Sequence, residues 1–280
     1  MIVYFTGAPL ATREYLELMQ GRRVMYSFVA RRRSAWADLS RFGGVALDSG
    51  AYSVWRRGAK VDLGEYADYC ARLEGSLDWY ANLDSIADWR LTLANQATLE
   101  RRGLRPVPVF HLGEPWALLD DLAIAYERVA IGRGPGMEFA RVVSALDTVF
   151  TRYTDEEGSP LVRFHGFRMT DRRIMARFPF ESVDSTTWIA GNAYGMLPTD
   201  TGRAGGFSFL GDETKARVWL EFFDAAPKAY RYARNCRTVG GDARPRRQGR
   251  RNSNFTGRGL RHELASGPVG LGPREAIDVR

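Results

Sequence analysis

The sequence has few cysteines, few histidines and no long apolar run. Its two cysteines, Cys70 and Cys236, lie far apart and form no CxxC pair, which excludes a disulfide framework and a cysteine-rich zinc site. No stretch approaches the roughly 18 consecutive apolar residues of a membrane-spanning helix. The N-terminus also lacks the basic-then-apolar order of a signal peptide. These absences predict a protein without a membrane segment that resides in the cytoplasm.

Positive charge is concentrated at the C-terminal end. The formal net charge is +7, and residues 227–280 carry 13 basic and 4 acidic side chains, against 27 basic and 29 acidic in residues 1–226. Basic segments bind polyanions because they displace condensed counterions from phosphates. The composition fits both a nucleic-acid-binding segment and a solvated, mobile tail. We therefore predict a folded domain over residues 1–226 and an Arg/Gly-rich segment over residues 227–280.

Short β-rich runs alternate with longer amphipathic stretches in the first 226 residues. Eight strands separated by helices predict a parallel sheet, since each parallel crossover needs about a dozen residues. A (β/α)8 barrel and an open doubly wound sheet both satisfy this pattern, and the absence of GxGxxG after the first run favours the barrel. The prediction is an α/β protein, a (β/α)8 TIM barrel with a basic, partly irregular C-terminal segment. The expected strands are Ile2–Phe5, Val24–Phe28, Val45–Leu47, Trp79–Leu83, Val107–Phe110, Val129–Ile131, Val162–Phe164 and Ser182–Val183, with helices near 10–20, 33–41, 62–75, 88–102, 115–126, 137–153, 171–177 and 212–224.

Polar residues follow most of the predicted strands. In a parallel barrel the carboxyl ends of the strands meet at one face, where the chemistry takes place. The residues at these ends are Asp48, Asp84, His111, Gly132, His165 and Asp184. Each also has a purely structural interpretation, because an aspartate after a strand is often a helix N-cap and a rim histidine is often simply hydrogen-bonded. Tyr52 and Trp188, just after two of the aspartates, fit core aromatics as well as stacking residues, and Glu114 fits the start of the next helix.

Paired carboxylates in a sugar-sized pocket can cleave a glycosidic bond. One attacks the anomeric carbon, and another handles the proton of the leaving group. The sequence contains no Walker loop, HExxH or GxSxG, so phosphoryl transfer, metalloprotease chemistry and serine hydrolysis have no support. The residues alone therefore predict a barrel enzyme that acts on a glycoside.

The motifs themselves resemble a known family. LDSGAYSVW resembles the DSGG-aromatic motif of the tRNA-guanine transglycosylase superfamily, VAIGRG resembles its strand that ends in a glycine beside the base pocket, and SVDSTTW falls where that family carries an aspartate nucleophile. With YANLD, PVPVFHLGE and HGFRMT between them, the set is most similar to the phage-type 7-deazaguanine DNA transglycosylases over roughly residues 1–195. For a phage-encoded enzyme, the location would be the host cytoplasm.

The resemblance implies exchange of guanine in DNA for a 7-deazaguanine base, preQ0 or a derivative. By the motif matches, Asp184 is the nucleophile that attacks C1′, and Asp48 is the acid/base that protonates the departing guanine and deprotonates the incoming base. Tyr52 would stack on the base and Asp84 would read its Watson–Crick edge. The remaining base-binding positions implied are His111, Ile131, Gly132 and His165.

Departures from the family pattern bear on metal and polymer. The tRNA enzymes carry a CxCxxC and a distant histidine for zinc, whereas this region holds only Cys236, so we expect no zinc and no other cofactor. The missing zinc ligands and the short chain favour DNA over tRNA. Three alternatives stay open: a tRNA-guanine transglycosylase, a non-catalytic barrel that binds nucleic acid through its tail, and an ordinary glycoside hydrolase.

Overall fold

A computed structural model describes residues 1–7, 13–33, 39–86, 88–189, 195–199, 202–206 and 210–233 of the 280-residue chain. Eight strands form one all-parallel sheet, and each contains at least one of the β-branched or aromatic residues that favour strands. Their order across the sheet is β4-β3-β2-β1-β8-β7-β6-β5, so the first and last strands pair at its centre. The strands are β1 (Ile2–Thr6), β2 (Arg23–Ser27), β3 (Gly44–Asp48), β4 (Trp79–Tyr80), β5 (Val109–His111), β6 (Arg128–Gly132), β7 (Arg163–Gly166) and β8 (Ser182–Ser185).

The two edge strands of the sheet, β4 and β5, are joined by a single parallel bridge between Ala81 and Val107. Val107 N–H donates to Tyr80 O at 2.8 Å, and Asn82 N–H donates to Val107 O at 2.8 Å. Alternate residues of a strand direct their backbone groups to opposite neighbours, and Pro108 O, one residue further on, accepts from Ala130 N–H of β6 at 2.9 Å. Among the described residues, the bonds between these two edges are therefore confined to Val107. The eight-stranded sheet is therefore curled rather than a closed barrel. The predicted parallel strands with intervening helices are confirmed, and a continuous closed ladder is not present among the described strands.

Helices cover the outer face of the sheet. Three of them begin at an aspartate whose carboxylate accepts backbone N–H bonds, namely Asp62, Asp88 and Asp171, as is usual for N-caps. The helices are α1 (Arg13–Leu18), α2 (Ala51–Trp55), α3 (Leu63–Leu73), α4 (Trp89–Arg101), α5 (Trp116–Ala125), α6 (Phe139–Arg152), α7 (Arg172–Arg177) and α8 (Asp212–Ala225). None of the helices in the described residues is long and apolar enough to cross a membrane.

Three regions differ from the sequence prediction. Helix α2 (Ala51–Trp55) follows β3 where no helix was predicted. The helix predicted near 33–41 is replaced by short 3-10 turns at Phe28–Arg33 and Leu39–Arg41, and residues 34–38 lie outside the described residues. Between β8 and α8 the chain adds an antiparallel pair, β9 (Leu197–Thr199) and β10 (Gly202–Ala204), which the pattern did not predict. Three-residue strands carry too few alternating residues to give a period-2 signal.

Alternate side chains of the sheet fill its inner side, and the others pack against the helices. The inner cluster is small and centred on Tyr4, Trp79 and Val109. Two larger clusters lie between the sheet and the helices, one around Phe28 and Trp219 and one around Phe150 and Phe164. This alternation decides which residue at each strand end faces the interior.

The folded contacts continue past the predicted boundary at residue 226. Tyr232 is 5% exposed, lies in the same cluster as Phe150 and stacks on Phe178 with ring centroids 6.0 Å apart. Its hydroxyl donates to Asp147 at 2.7 Å. Residues 234–280, which form most of the predicted Arg/Gly-rich segment, lie outside the described residues.

We expect Tyr232→Ala to lower the free energy of unfolding by about 3 kcal/mol, because it leaves a cavity against Phe178 and removes the bond to Asp147. The matched control is Tyr230→Ala, since Tyr230 is 77% exposed and its loss should change stability by no more than about 0.5 kcal/mol. Urea unfolding of the two full-length variants measures both. Equal effects would contradict the packing role of Tyr232.

Candidate active site at the strand ends

Inward-facing residues at the strand ends lie just beyond the inner core of the sheet. We call them the strand-end cluster: Asp48, Asp84, His111, Gly132 and Asp184. Ala46 and Val109 lie in that core, and two positions further along their strands come Asp48 and His111. The parallel register pairs His111 with Gly132 and Tyr4 with Asp184. Because every strand runs in the same direction, these residues meet at one edge of the sheet, as the sequence predicts.

Asp184 is held by groups from neighbouring strands and loops. It is 4% exposed; its Oδ1 accepts the backbone N–H of Arg168 at 2.7 Å and its Oδ2 accepts the hydroxyl of Thr6 at 3.2 Å. The local turn is served by the next residue, since Ser185 Oγ accepts from Thr187 N–H at 3.1 Å. Asp184 is therefore not a helix N-cap, and its carboxylate faces the site.

Arg168 has a backbone conformation that is unusual for its residue type. Its φ is 56°, and it is the only non-glycine residue with positive φ in the described part of the chain. Such a conformation is unfavourable for a side chain with a Cβ and persists only where the surroundings impose it. Here it accompanies the N–H bond to Asp184, and the guanidinium lies 4.6 Å from the ring centre of Tyr52.

Asp48 has the most perturbed acidity of the cluster. Burial, followed by the negative charges of Asp84 and Asp184, raises its pKa from 3.8 to about 7, while a backbone hydrogen bond from Gly50 and the charge of Arg168 oppose the rise. Both the acid and the carboxylate forms are therefore present near neutral pH. Ser49 Oγ accepts from Ala51 N–H at 3.1 Å, so a serine again serves the turn beside the aspartate.

Asp84, His111 and Glu114 form a hydrogen-bonded chain. His111 Nε2 lies 3.1 Å from Asp84 Oδ2, and its Nδ1 lies 3.1 Å from Glu114 Oε1. Burial lowers the pKa of His111, but the bonds to the two carboxylates outweigh this and raise it to about 9. The imidazole is therefore a cation at neutral pH, with both N–H groups donating. Ser49 donates to the other oxygen of Asp84 at 2.9 Å.

Glu114 does not simply begin the next helix. The N-cap of α5 is Pro115, and Glu114 Oε2 accepts the backbone N–H of His111 at 2.9 Å. One carboxylate thus bonds both the backbone and the ring of His111 and fixes the direction in which the imidazole points. Sequence reasoning missed this role because a three-residue spacing in a loop has no periodic signal.

Gly132 and Ile131 occupy opposite sides of β6. A Cβ at Gly132 would lie 2.6 Å from His111 Cδ2, so the absence of a side chain makes room for the imidazole. Ile131 is fully buried in the cluster between the sheet and the helices. Only the backbone of Ile131 is near the strand-end cluster, since its side chain faces away from it.

His165 lies beneath the cluster rather than at its surface. It is fully buried, its Nδ1 is 2.9 Å from Ser182 Oγ, and its ring centre is 4.6 Å from that of Trp79. Burial lowers its pKa, with Asp184 acting in the opposite direction, so the ring is neutral at neutral pH. Its Nε2 is 3.7 Å from Asp184 Oδ1, beyond hydrogen-bond distance.

The two aromatics that follow the aspartates differ in environment. Tyr52 is 37% exposed and lies on α2 beside the cluster, where one face meets Arg168. Trp188 is fully buried, and its indole N–H donates to Thr6 O at 3.0 Å. Tyr52 is thus accessible for stacking, whereas Trp188 is a core residue.

The structure adds Thr6, Arg168 and Glu114 to the predicted site residues. One sequence signal could have strengthened the prediction: Asp48, Asp84 and Asp184 are each followed by serine. In two of these pairs the serine accepts a local turn bond. For Arg168 no such signal exists, because its φ and its contacts depend on the packing of distant segments.

A protein metal site needs several ligating side chains close together. In the parts of the chain that the structure describes, no group of three His, Cys, Asp or Glu side chains is arranged to hold a metal ion. Cys70 lies on α3 and is fully buried in the core cluster, and Cys236 lies outside the described residues. That zinc is not needed stays a prediction.

The raised pKa of Asp48 predicts a pH-dependent stability. The folded protein binds this proton more tightly than the unfolded chain does, so the contribution is fully present below about pH 4 and is lost as the pH rises through about 7. From this group alone we expect a loss of about 2–4 kcal/mol between pH 4 and 8. Asp48→Asn should lack that loss.

Urea unfolding at pH 5 and pH 8 measures the effect as the difference between Asp48→Asn and the wild type. We expect the variant to gain stability relative to the wild type at the higher pH. Asp88→Asn is the matched control, because asparagine caps a helix about as well as aspartate and Asp88 lies at the exposed start of α4. A difference that is the same at both pH values would contradict a raised pKa of Asp48.

Comparison with known proteins adds no assignment: no protein-family model matches the chain, and no curated protein matches it. A functional conclusion therefore depends on the strand-end cluster and on the motifs that form it.

Proposed function

We propose that the strand-end cluster exchanges guanine in DNA for a 7-deazaguanine base, preQ0 or a derivative, through a covalent glycosyl-aspartate intermediate. The observation that carries the proposal is that Asp184 and Asp48 lie at the same edge of the sheet, where the charge of Asp184 helps to raise the pKa of Asp48. Asp184 is oriented by the Arg168 N–H and the Thr6 hydroxyl, and Asp48 carries an exchangeable proton near neutral pH. Two carboxyl groups with different environments are what glycosidic exchange requires.

In the first half of the reaction, Asp184 attacks C1′ of the target nucleotide. The C1′–N9 bond breaks, its electron pair leaves with guanine, and Asp48 supplies the proton that neutralises the departing base. A carboxylate suits this attack because the transition state is positively charged at the sugar. In the second half, Asp48 accepts the proton of the incoming base, whose nitrogen attacks C1′ and releases Asp184. Atoms and charges balance without an oxidant or reductant.

Base recognition in this proposal falls to Asp84 and Tyr52. Each oxygen of Asp84 already accepts one bond, from Ser49 and from His111, and a carboxylate has about four acceptor positions. The remaining positions can accept the two N–H donors on the Watson–Crick edge of a guanine-like base. Tyr52 supplies an exposed ring for stacking, and Arg168 must leave the face that it now covers if the base binds there.

The proposal also includes the completion of a (β/α)8 barrel and the choice of DNA over tRNA as the substrate. We take the Ala81–Val107 bridge as the point at which the curled sheet completes a (β/α)8 arrangement, so that the active site lies at the end where the strands terminate. DNA is proposed over tRNA because the sequence lacks the zinc ligands of the tRNA enzymes. Basic residues of the 227–280 segment would bind phosphates.

The direct test is to incubate the full-length protein with guanine-containing DNA or with tRNA, plus preQ0, and to analyse nucleosides by mass spectrometry. We expect the deazaguanosine in DNA only. Asp184→Asn should lower the rate about 1,000-fold or more, because it removes the nucleophile, and should form no covalent adduct. Asp171→Asn, at the cap of α7, is the matched control. Product in tRNA alone would correct the polymer, and full activity of Asp184→Asn would refute the mechanism.

The pH dependence of guanine displacement tests Asp48. Because the protonated form is needed, kcat/KM should fall about tenfold per pH unit above about 7. Asp84, Asp184 and Arg168 are the charged groups that act on Asp48. Arg168→Gln removes the cation among them, so the fall should begin at higher pH in this variant. If Arg168→Gln leaves the pH profile unchanged, the group that titrates in the profile is not Asp48.

A further inference from the structure

Helix α2 exposes two neighbouring aromatic rings. Tyr52 is 37% and Trp55 is 45% exposed, and their ring centroids are 6.0 Å apart with an interplanar angle of 38°. They lie three positions apart on the helix, which places them on the same face. Large aromatic side chains left in water at adjacent positions indicate a binding surface more often than a structural need.

A cleft of about 370 Å³ lies on the Trp55 side of this pair, within the size range of ligand pockets. It adjoins the strand-end cluster, because Asp84 lines the cleft and also bonds to His111. The walls are mostly apolar, and Leu91 at one side is 47% exposed. The main lining residues are Trp55, Val61, Leu83, Asp84, Ile86 and Leu91.

The segment between α2 and α3 adds positive charge beside the cleft. Arg56, Arg57 and Lys60 are exposed, and no acidic residue occurs between Ser49 and Val61. Within the described residues, none of the three cations forms an ion pair. Lys60 itself lines the cleft. An apolar, aromatic cleft bordered by unpaired cations complements a nucleotide, which has a flat base and an anionic phosphate.

We infer that the Trp55 cleft binds the base of an unpaired nucleotide adjacent to the target nucleotide, with Arg56, Arg57 and Lys60 on the flanking phosphates. The inference rests on the proposed function, since the nucleotide at Asp184 defines which neighbour is meant. Tyr52 and Trp55 then receive consecutive bases, as in proteins that bind single strands on aromatic platforms. A duplex must therefore open at two adjacent nucleotides, which makes single-stranded DNA the better substrate.

The test measures binding of full-length protein, without free base, to fluorescent oligothymidylates that contain one guanine. In a second set of oligonucleotides, a single neighbour of the guanine is abasic, on the 5′ side in one strand and on the 3′ side in another. For the wild type, removal of one neighbouring base should weaken Kd about tenfold, because a stacked base contributes that much. Trp55→Ala should bind the intact and abasic strands equally, and Trp55→Phe should restore the difference. Ile124→Ala is the control for loss of an exposed apolar side chain elsewhere, since Ile124 on α5 is 67% exposed.

Salt dependence tests the three cations separately. Each phosphate contact on a single strand contributes about 0.7 to the slope of log K against log salt. The variant Arg56→Gln/Arg57→Gln/Lys60→Gln should therefore lower that slope by up to about 2. An unchanged slope would remove the phosphate contacts from the inference.

The outcomes separate this inference from the proposed function. If the wild type and Trp55→Ala lose the same affinity on the abasic strand while base exchange is intact, the cleft does not hold the neighbouring base and the proposed function stands. A cleft that serves to bind a protein or peptide instead of a base would also give equal losses of affinity for the two proteins. If coupling to Trp55 is found but no polymer undergoes exchange, the nucleotide site stands and the proposed function fails.

Discussion

Repulsion between carboxylates is the interaction around which the strand ends are organised. Asp48, Asp84 and Asp184 are brought to one edge of the sheet, where burial makes uncompensated negative charge unfavourable. Each is accommodated in a different way. Asp48 retains a proton near neutral pH, Asp84 faces the cationic ring of His111, and Asp184 accepts a backbone amide and a hydroxyl. Three residues of one type thereby acquire three chemical characters.

Local turns use only part of the bonding capacity of these aspartates, because serines and other aspartates form most of the turn and cap bonds. Ser49 and Ser185 each accept the backbone N–H two residues further on, Asp48 accepts only that of Gly50, and separate aspartates cap helices α3, α4 and α7. The carboxylates of the site are consequently free to interact across strands. This division between turn-forming and site-forming residues is more informative about function than the number of acidic residues.

The main features of the fold could be predicted because they depend on short-range patterns. Hydrophobic runs located eight strands, and parallel pairing then placed Asp48, His111 and Asp184 at the same edge. Long-range packing could not be predicted from those patterns. Three features depend on segments distant in sequence or on loop geometry. They are the positive φ of Arg168, the two hydrogen bonds between His111 and Glu114, and the burial of Tyr232.

The edge between β4 and β5 shows a second kind of limit. Both strands were expected to be longer, yet pairing is reduced to one bridge at Ala81. Which neighbour each residue of a strand bonds follows only once the strands are placed in the sheet, so the sequence pattern does not reveal where this pairing ends. The order of the motifs along the chain supplied candidate residues, whereas their bonding partners follow only from the structure.

The contact between Gly132 and His111 restricts how this site can vary. Since even one methyl group at residue 132 would meet the imidazole, a larger residue there requires the ring to move, and movement would break its bonds to Asp84 and Glu114 together. Residues 111 and 132 must therefore change as a pair. A chain with the same three aspartates but alanine at the position of Gly132 should carry a smaller side chain opposite, and would hold the carboxylate equivalent to Asp84 by other means.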